Sequence, residues 1–158
     1  MFDGFQVAGS LAAAGATDVI WIPDSELGLW EAGLAKHLRL LRVCREGEAM
    51  VLAAGLMLGG RKPVVIIQCT GLFEAGDSLR NVIHDLKLPL FLMIGVRSYF
   101  AHQRGVGRDT CPIFTEPILQ AWRIPYRILS QERGLDEMTN AYRETQAAAK
   151  AGAVLIPE

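Results

Sequence analysis

Short apolar runs alternate along the chain with segments whose apolar residues recur at helical spacing. The clearest run, Pro63-Val-Val-Ile-Ile-Gln68, is rich in β-branched residues and follows a glycine pair, which is typical of a buried strand. The pattern predicts six strands, at 18–22, 38–43, 63–68, 90–94, 126–129 and 153–156. It also predicts five helices, at 4–14, 26–38, 46–58, 73–86 and 133–150.

Continuous Val/Ile-rich strands that alternate with helices indicate a parallel sheet covered on both faces. We therefore expect an α/β protein, a three-layer α/β/α sandwich with a mostly parallel sheet of about six strands. The 158 residues suffice for one good core, and no linker, repeat or low-complexity tract divides them. The expected organisation is a single domain over 1–158.

Ligands of such sheets bind beyond the carboxyl ends of the strands. This rule selects four loops of the chain, at 23–25, 44–46, 69–71 and 96–109. Candidate chemistry is therefore sought in these four segments.

Composition and charge exclude several functional classes. The 16 Lys and Arg residues balance 17 Asp and Glu residues, whereas a nucleic-acid-binding protein would show a basic excess. The sequence shows no membrane-length apolar run and no signal peptide, so we expect a cytoplasmic protein without a membrane partner. Cys44, Cys69 and Cys111 form no CxxC motif and the histidines form no HExxH motif, so no metal ligands are assigned.

Three segments, in order along the chain, carry a resemblance to a known family. They are Pro23-Asp24-Ser25, Cys44-Arg-Glu-Gly-Glu-Ala-Met-Val-Leu-Ala-Ala-Gly55 and Lys62-Pro-Val-Val-Ile-Ile-Gln-Cys-Thr-Gly-Leu72. They resemble the pyrimidine-binding domain of thiamine-diphosphate-dependent enzymes, and within it the α subunit of sulfopyruvate decarboxylase and the N-terminal half of phosphonopyruvate decarboxylase. Cys69 and Thr70 depart from that pattern, which has asparagine and serine there.

The resemblance implies a role for the start of the helix at 46–58. In that family a glutamate at this position bonds N1′ of the cofactor aminopyrimidine, which makes Glu46 the candidate catalytic residue. Thr70, Gly71 and Leu72 would bind the cofactor together with Glu46. From position alone, Glu46 could simply complement the helix dipole, and 69–71 could be an ordinary turn from strand to helix.

The other two loops supply candidate substrate residues. The resemblance places Pro23, Asp24 and Ser25 near the acidic group of the substrate, although Asp24 or Ser25 could instead only cap a helix. Arg97 could neutralise an anionic substrate. His102 is a second candidate catalytic residue, as a proton donor, and the alternative is that 97–109 is a solvated loop or a subunit contact.

The resemblance implies a shared active site. We expect the α subunit of a split enzyme, with thiamine diphosphate shared with a β subunit that holds Mg2+ and the diphosphate, assembled as α2β2 or higher. The expected reaction is non-oxidative decarboxylation of a small anionic 2-oxo acid such as sulfopyruvate or phosphonopyruvate. The alternatives are a subunit of another thiamine-dependent lyase or carboligase, and a non-catalytic structural or regulatory partner.

Overall fold

A computed structural model describes residues 2–24 and 27–158, and its centre is a six-stranded sheet in which every described pairing is parallel. In chain order the strands are β1 (Asp18–Trp21), β2 (Arg39–Arg42), β3 (Pro63–Gln68), β4 (Phe91–Val96), β5 (Tyr126–Ile128) and β6 (Gly152–Pro157). Their order across the sheet is β2-β1-β3-β4-β6-β5. All six strands lie where the sequence predicts them, apart from shifts of one or two residues at their ends.

Seven α-helices connect the strands of the described chain. They are α1 (Gly4–Ala13), α2 (Glu31–His37), α3 (Glu46–Leu58), α4 (Cys69–Arg80), α5 (Tyr99–Gln103), α6 (Cys111–Ala121) and α7 (Gly134–Ala148). A 3-10 turn at Leu27–Trp30 precedes α2, and a π-helical turn at Asn81–Asp85 continues α4. None of the helices described in 2–24 and 27–158 is long and apolar enough to cross a bilayer.

Two helices, α5 and α6, are not predicted by the sequence, and a third, α4, begins earlier than predicted. The sequence pattern predicts a loop at 97–109 and no element at 110–125, whereas the structure has α5 and α6 there. Pro112 and Pro117 hide α6, because proline is a helix breaker except in the first turn, where Pro112 stands. Helix α4 begins at Cys69 rather than at the predicted 73, directly after β3.

Alternate residues of the central strands supply two apolar cores, one on each face of the sheet. Val65 and Ile94 face one core, which is completed by α3, α4 and α6. Ile66 and Met93 face the other core, completed by α1, α2 and α7. The three-layer α/β/α sandwich is thus confirmed, and it leaves the carboxyl edge of β1, β3 and β4 open between the helices.

Candidate active site

A cleft of about 350 Å³ lies at the carboxyl edge of the sheet. Its walls come from the ends of β1, β3 and β4 and from the start of α3, and its lining residues are Ile22, Pro23, Asp24, Glu46, Gln68, Thr70 and Arg97. Five of these seven are site residues assigned from the sequence, which come from four separate segments of the chain. The parallel sheet brings them together because it collects the ends of its strands at one edge.

Glu46 is the first residue of α3, and its half-buried side chain packs against the backbone of Gly71. A Cβ atom on residue 71 would lie 2.5 Å from Glu46 Oε1 and would also overlap Cγ. Such a contact is not tolerated without movement of the carboxyl group, so glycine at 71 makes room for Glu46. Gly71 therefore contributes space to the site rather than a polar contact.

Thr70 and Leu72 flank Gly71 but lie in different environments. Thr70 is exposed and lines the cleft, whereas the Leu72 side chain is completely buried in the core on the face of the sheet that α3, α4 and α6 cover. The resemblance predicts that Leu72 binds the cofactor together with its neighbours. The structure places its side chain among the core residues and leaves Thr70 at the cleft.

The start of α3 is held by a carboxylate from another helix. Glu74 on α4 accepts a hydrogen bond from the Gly47 N–H at 2.7 Å with Oε2, and from Arg45 Nη2 at 2.6 Å with Oε1. The Arg45 guanidinium and then the Gly47 N–H lower the pKa of Glu74. Arg45, at the N-cap, makes no side-chain capping bond, so Glu74 stabilises the turn that carries Glu46. The two partners are 27 positions apart in the sequence, so local patterns do not reveal this cap.

The loop after β1 combines both roles that the sequence left open. Asp24 Oδ1 accepts a hydrogen bond of 2.7 Å from the Leu27 N–H, which caps the 3-10 turn. Asp24 and the exposed Pro23 also line the cleft. Ser25, the third residue proposed for this loop, lies outside the described residues.

Arg97 provides the positive charge of the cleft. Among the described residues that line the cleft, Arg97 is the one cation. Its Nε donates to Asp109 Oδ2 at 2.7 Å, and its Nη2 lies 3.9 Å from Cys111 Sγ. The other oxygen of Asp109 accepts the Cys111 N–H at 2.9 Å, at the start of α6. Asp109 raises the pKa of Arg97, while the Cys111 N–H, together with Arg97, lowers the pKa of Asp109.

Gln68 also lines the cleft, and the sequence motifs predict no role for it. Its Nε2 donates to both carboxylate oxygens of Glu158 at 3.2 Å, so its Oε1 faces the other way. A Cβ on residue 95 would lie 2.5 Å from Gln68 Nε2, and Gly95 therefore leaves space for this amide. The sequence signal for Gln68 is its position as the last residue of β3, because ligands bind at the carboxyl ends of such strands.

His102 lies apart from the other candidates. It is an exposed residue of the short helix α5 and is not among the residues that line the cleft. Its catalytic role stays a prediction. Within residues 2–24 and 27–158, no group of three or more His, Cys, Asp or Glu side chains could hold a metal ion.

The comparison of sequences finds one similar protein of known activity. No family model matches the chain. Over 95 residues, or 58% of the chain, it is 25% identical to the alpha subunit of sulfopyruvate decarboxylase from Methanococcus maripaludis and covers 54% of that subunit. The chain thus spans about half the length of this relative. The similarity confirms the resemblance inferred from the sequence motifs.

The comparison of structures extends over almost the whole chain. The fold matches part of 2-oxoglutarate:ferredoxin oxidoreductase from Magnetococcus marinus, a structure with 2-oxoglutarate, coenzyme A and succinyl-CoA bound, with a TM-score of 0.70. The match covers 99% of this chain and 29% of the larger one at 14% identity. At that identity the match concerns the fold, and it confirms the α/β architecture.

Proposed function

We propose that this chain is the α-type subunit of a thiamine-diphosphate-dependent decarboxylase and supplies the glutamate that activates the cofactor. The observation that carries the proposal is the contact between Glu46 and Gly71. The Glu46 carboxyl group lies at the start of a helix and lines the cleft. It occupies a space that only glycine at 71 leaves open. The similarity to a sulfopyruvate decarboxylase alpha subunit supports the same assignment.

The residues of the cleft fit the aminopyrimidine end of the cofactor. Glu46 offers a carboxyl group for a ring nitrogen, Thr70 offers a hydroxyl group, and Ile22 offers apolar surface for the ring. Bound thiamine diphosphate supplies the electron sink that a 2-oxo acid needs to lose CO2. Glu46 would hold or release one proton at its carboxyl group, and the half-buried position keeps that group oriented.

Arg97 is the group that we assign to the substrate. The Arg97 guanidinium is bound to Asp109 through Nε and presents its remaining N–H donors to the carboxylate, sulfonate or phosphonate of the substrate. Pro23 and Asp24 would form the facing wall. A small anionic 2-oxo acid therefore suits this cleft.

A second polypeptide would complete the site. Because the chain resembles the pyrimidine-binding domain, we assign Mg2+ and the diphosphate to a β subunit. The outer face of α3, the helix that Glu46 begins, exposes Val51 at 60% and Leu58 at 72%, an apolar surface against which a partner chain would pack. An α2β2 assembly, or a larger one, would place two such sites in one molecule.

The proposal is tested by coexpression with a β-type chain, sought first in the neighbouring reading frame. Such a chain is recognised by Gly-Asp-Gly with a downstream asparagine, the motif with which thiamine-diphosphate enzymes hold Mg2+ and the diphosphate. The purified pair is supplied with thiamine diphosphate, Mg2+ and either sulfopyruvate or phosphonopyruvate, and CO2 and aldehyde are measured. We expect turnover that requires both chains. Acyloin products instead of aldehyde would make the protein a carboligase subunit. Failure of such a pair to bind the cofactor would favour a non-catalytic role.

A further inference from the structure

The amide oxygen of Gln68 is a buried hydrogen-bond acceptor without a donor. Gln68 is the last residue of β3 and lines the cleft together with Glu46 and Thr70. Its Oε1 is buried and accepts no hydrogen bond from any residue in the described parts of the chain, 2–24 and 27–158. Nearly all buried polar atoms in proteins have a hydrogen-bond partner, so a missing donor at a cleft residue indicates that a ligand supplies it.

The orientation of this amide is fixed from its other end. Gln68 Nε2 donates to both carboxylate oxygens of Glu158 at 3.2 Å. An ionised carboxylate only accepts hydrogen bonds, and an amide oxygen donates none, so the nitrogen end of the amide must face Glu158. The backbone N–H of Glu158 donates in turn to the Val96 carbonyl at 3.1 Å, which fixes the end of β6 beside β4. The amide therefore cannot exchange its two ends without the loss of both bonds to Glu158.

The nitrogen end of the amide lies over the backbone of β4, away from the lining of the cleft. A Cβ atom on residue 95 would lie 2.5 Å from Gln68 Nε2 and 2.6 Å from Glu158 Oε1. Gln68 is a lining residue of the cleft, whereas Gly95 and Glu158 are not. The oxygen is thus the end of the amide that remains for a ligand in the cleft.

The chemistry of this acceptor selects the ligand group that it would bind. A 2-oxo acid anion carries a carboxylate and a ketone, and these groups, like a sulfonate, only accept hydrogen bonds. Such a substrate suits the guanidinium of Arg97 and cannot satisfy the oxygen of Gln68. An aminopyrimidine carries an exocyclic amino group, which is a donor, and this group matches an amide oxygen.

We propose that Gln68 is a cofactor-binding residue whose amide oxygen accepts a hydrogen bond from the exocyclic amino group of the aminopyrimidine. This assignment rests on the proposed function and deepens it, because Glu46 is assigned to a ring nitrogen and Gln68 to the amino group. The two acceptors stand on separate elements, at the start of α3 and at the end of β3, and would fix the ring at two points. Gln68 also gives specificity, because a ring without the amino group leaves its buried oxygen unpaired.

The test measures binding rather than turnover. The purified pair of α- and β-type chains, with Mg2+, is titrated calorimetrically with thiamine diphosphate and with oxythiamine diphosphate, in which an oxygen replaces the exocyclic amino group. Gln68→Met keeps the length of the side chain and removes the amide oxygen, so Kd for thiamine diphosphate should rise about tenfold. Kd for oxythiamine diphosphate should change less than about twofold, since that compound offers Gln68 no amino group. Gln120→Met, the same substitution at an exposed glutamine outside the cleft, is the control and should bind both compounds like the wild type.

The outcomes separate the role of Gln68 from the proposed function. An unchanged ratio of the two Kd values in Gln68→Met, whether both affinities are retained or both fall equally, would overturn the role of Gln68 and leave that of Glu46 standing. A wild-type pair that binds neither compound would overturn both. Glu158→Leu keeps Gln68 but removes the acceptor that orients its amide, so the preference for thiamine diphosphate should fall about threefold. This second variant decides the matter where thermal unfolding shows that Gln68→Met does not fold, and an unchanged preference in it would then overturn the role of Gln68.

Discussion

The two walls of the cleft are built differently. The wall from α3 and the start of α4 is held by close packing and by a helix cap: Glu46 lies against a glycine, and a carboxylate from α4 accepts a hydrogen bond from the Gly47 N–H. The wall after β4 is held by charge: Arg97, with 52% of its side chain exposed, is bound to Asp109. Packing fixes an atom against movement in any direction, whereas an exposed ion pair fixes it loosely and depends on pH and salt.

This difference suits the two tasks that we propose. A carboxyl group that shares a proton with a cofactor needs a fixed position, because small displacements reduce proton transfer strongly. A guanidinium that receives and releases an anion can tolerate adjustment. We therefore expect substitutions in the packed wall, which contains Glu46 and Gly71, to reduce kcat. Substitutions in the charged wall, which contains Arg97 and Asp109, should raise KM.

The largest effect is expected for Glu46→Gln in the complete enzyme. Glutamine keeps the shape but cannot share a proton as a carboxyl group does, so kcat should fall about 100-fold or more. The measurement is steady-state decarboxylation, with thermal unfolding to show that the fold is intact. Glu48→Gln is the matched control, because Glu48 is exposed on the same helix, and it should retain activity. Near-normal turnover of the Glu46 variant would remove Glu46 from the mechanism.

Gly71→Ala should break the packed wall without changing any charge. The added methyl group would overlap the Glu46 carboxyl group, so we expect a loss of about 1–3 kcal/mol in the free energy of unfolding and a fall in kcat of roughly tenfold. Urea unfolding and steady-state kinetics measure the two. Gly55→Ala on α3 is the control: a Cβ there meets nothing within 4 Å, and alanine should stabilise the helix by up to about 1 kcal/mol. Equal behaviour of the two variants would contradict the steric argument.

Arg97→Lys tests the charged wall. Lysine keeps the charge but loses the planar guanidinium that holds Asp109, so KM for the anionic substrate should rise about tenfold while kcat changes little. Arg104→Lys, at an exposed residue of the same segment and outside the cleft, is the control and should leave KM unchanged. A fall in kcat at unchanged KM would show that Arg97 does not act by binding the substrate.

The Arg97–Asp109 pair should also give a pH signature in stability. The folded-state pKa of Asp109 lies below its ordinary value of 3.8, so the carboxylate stabilises the fold above that value. The contribution is lost as the pH falls through the lower, folded-state pKa. Asp109→Asn should therefore be less stable than the wild type by about 1 kcal/mol at pH 6, measured by urea unfolding. The difference should shrink below about pH 4, and a difference independent of pH would contradict the ion pair.

The smallest effect is expected for His102→Ala. His102 is exposed and outside the cleft, so kcat and KM should change less than about twofold. Steady-state kinetics of the complete enzyme measure both constants. A tenfold or greater loss in kcat would instead support the proton-donor role that the sequence suggested for His102.

Much of the fold was predictable from local signals. Helix α3 begins and ends where the pattern places it, at 46 and 58, and the β-branched run at 63–68 is β3. The helix α6 was missed because Pro112 and Pro117 are local signals against helix, which tertiary packing of Leu119 and its neighbours overrides. Local periodicity therefore succeeds where propensity and packing agree, and fails where they conflict.

The sequence by itself determined the alternation of strands and helices, and with it the edge at which the candidate residues gather. The tertiary structure alone decided which side chains touch: Glu46 and Gly71, Glu74 and the start of α3, Arg97 and Asp109. The physical reason is the range of each signal. Periodicity is set by neighbours within a few residues, whereas these contacts join residues 12 to 29 positions apart and depend on how helices dock on the sheet.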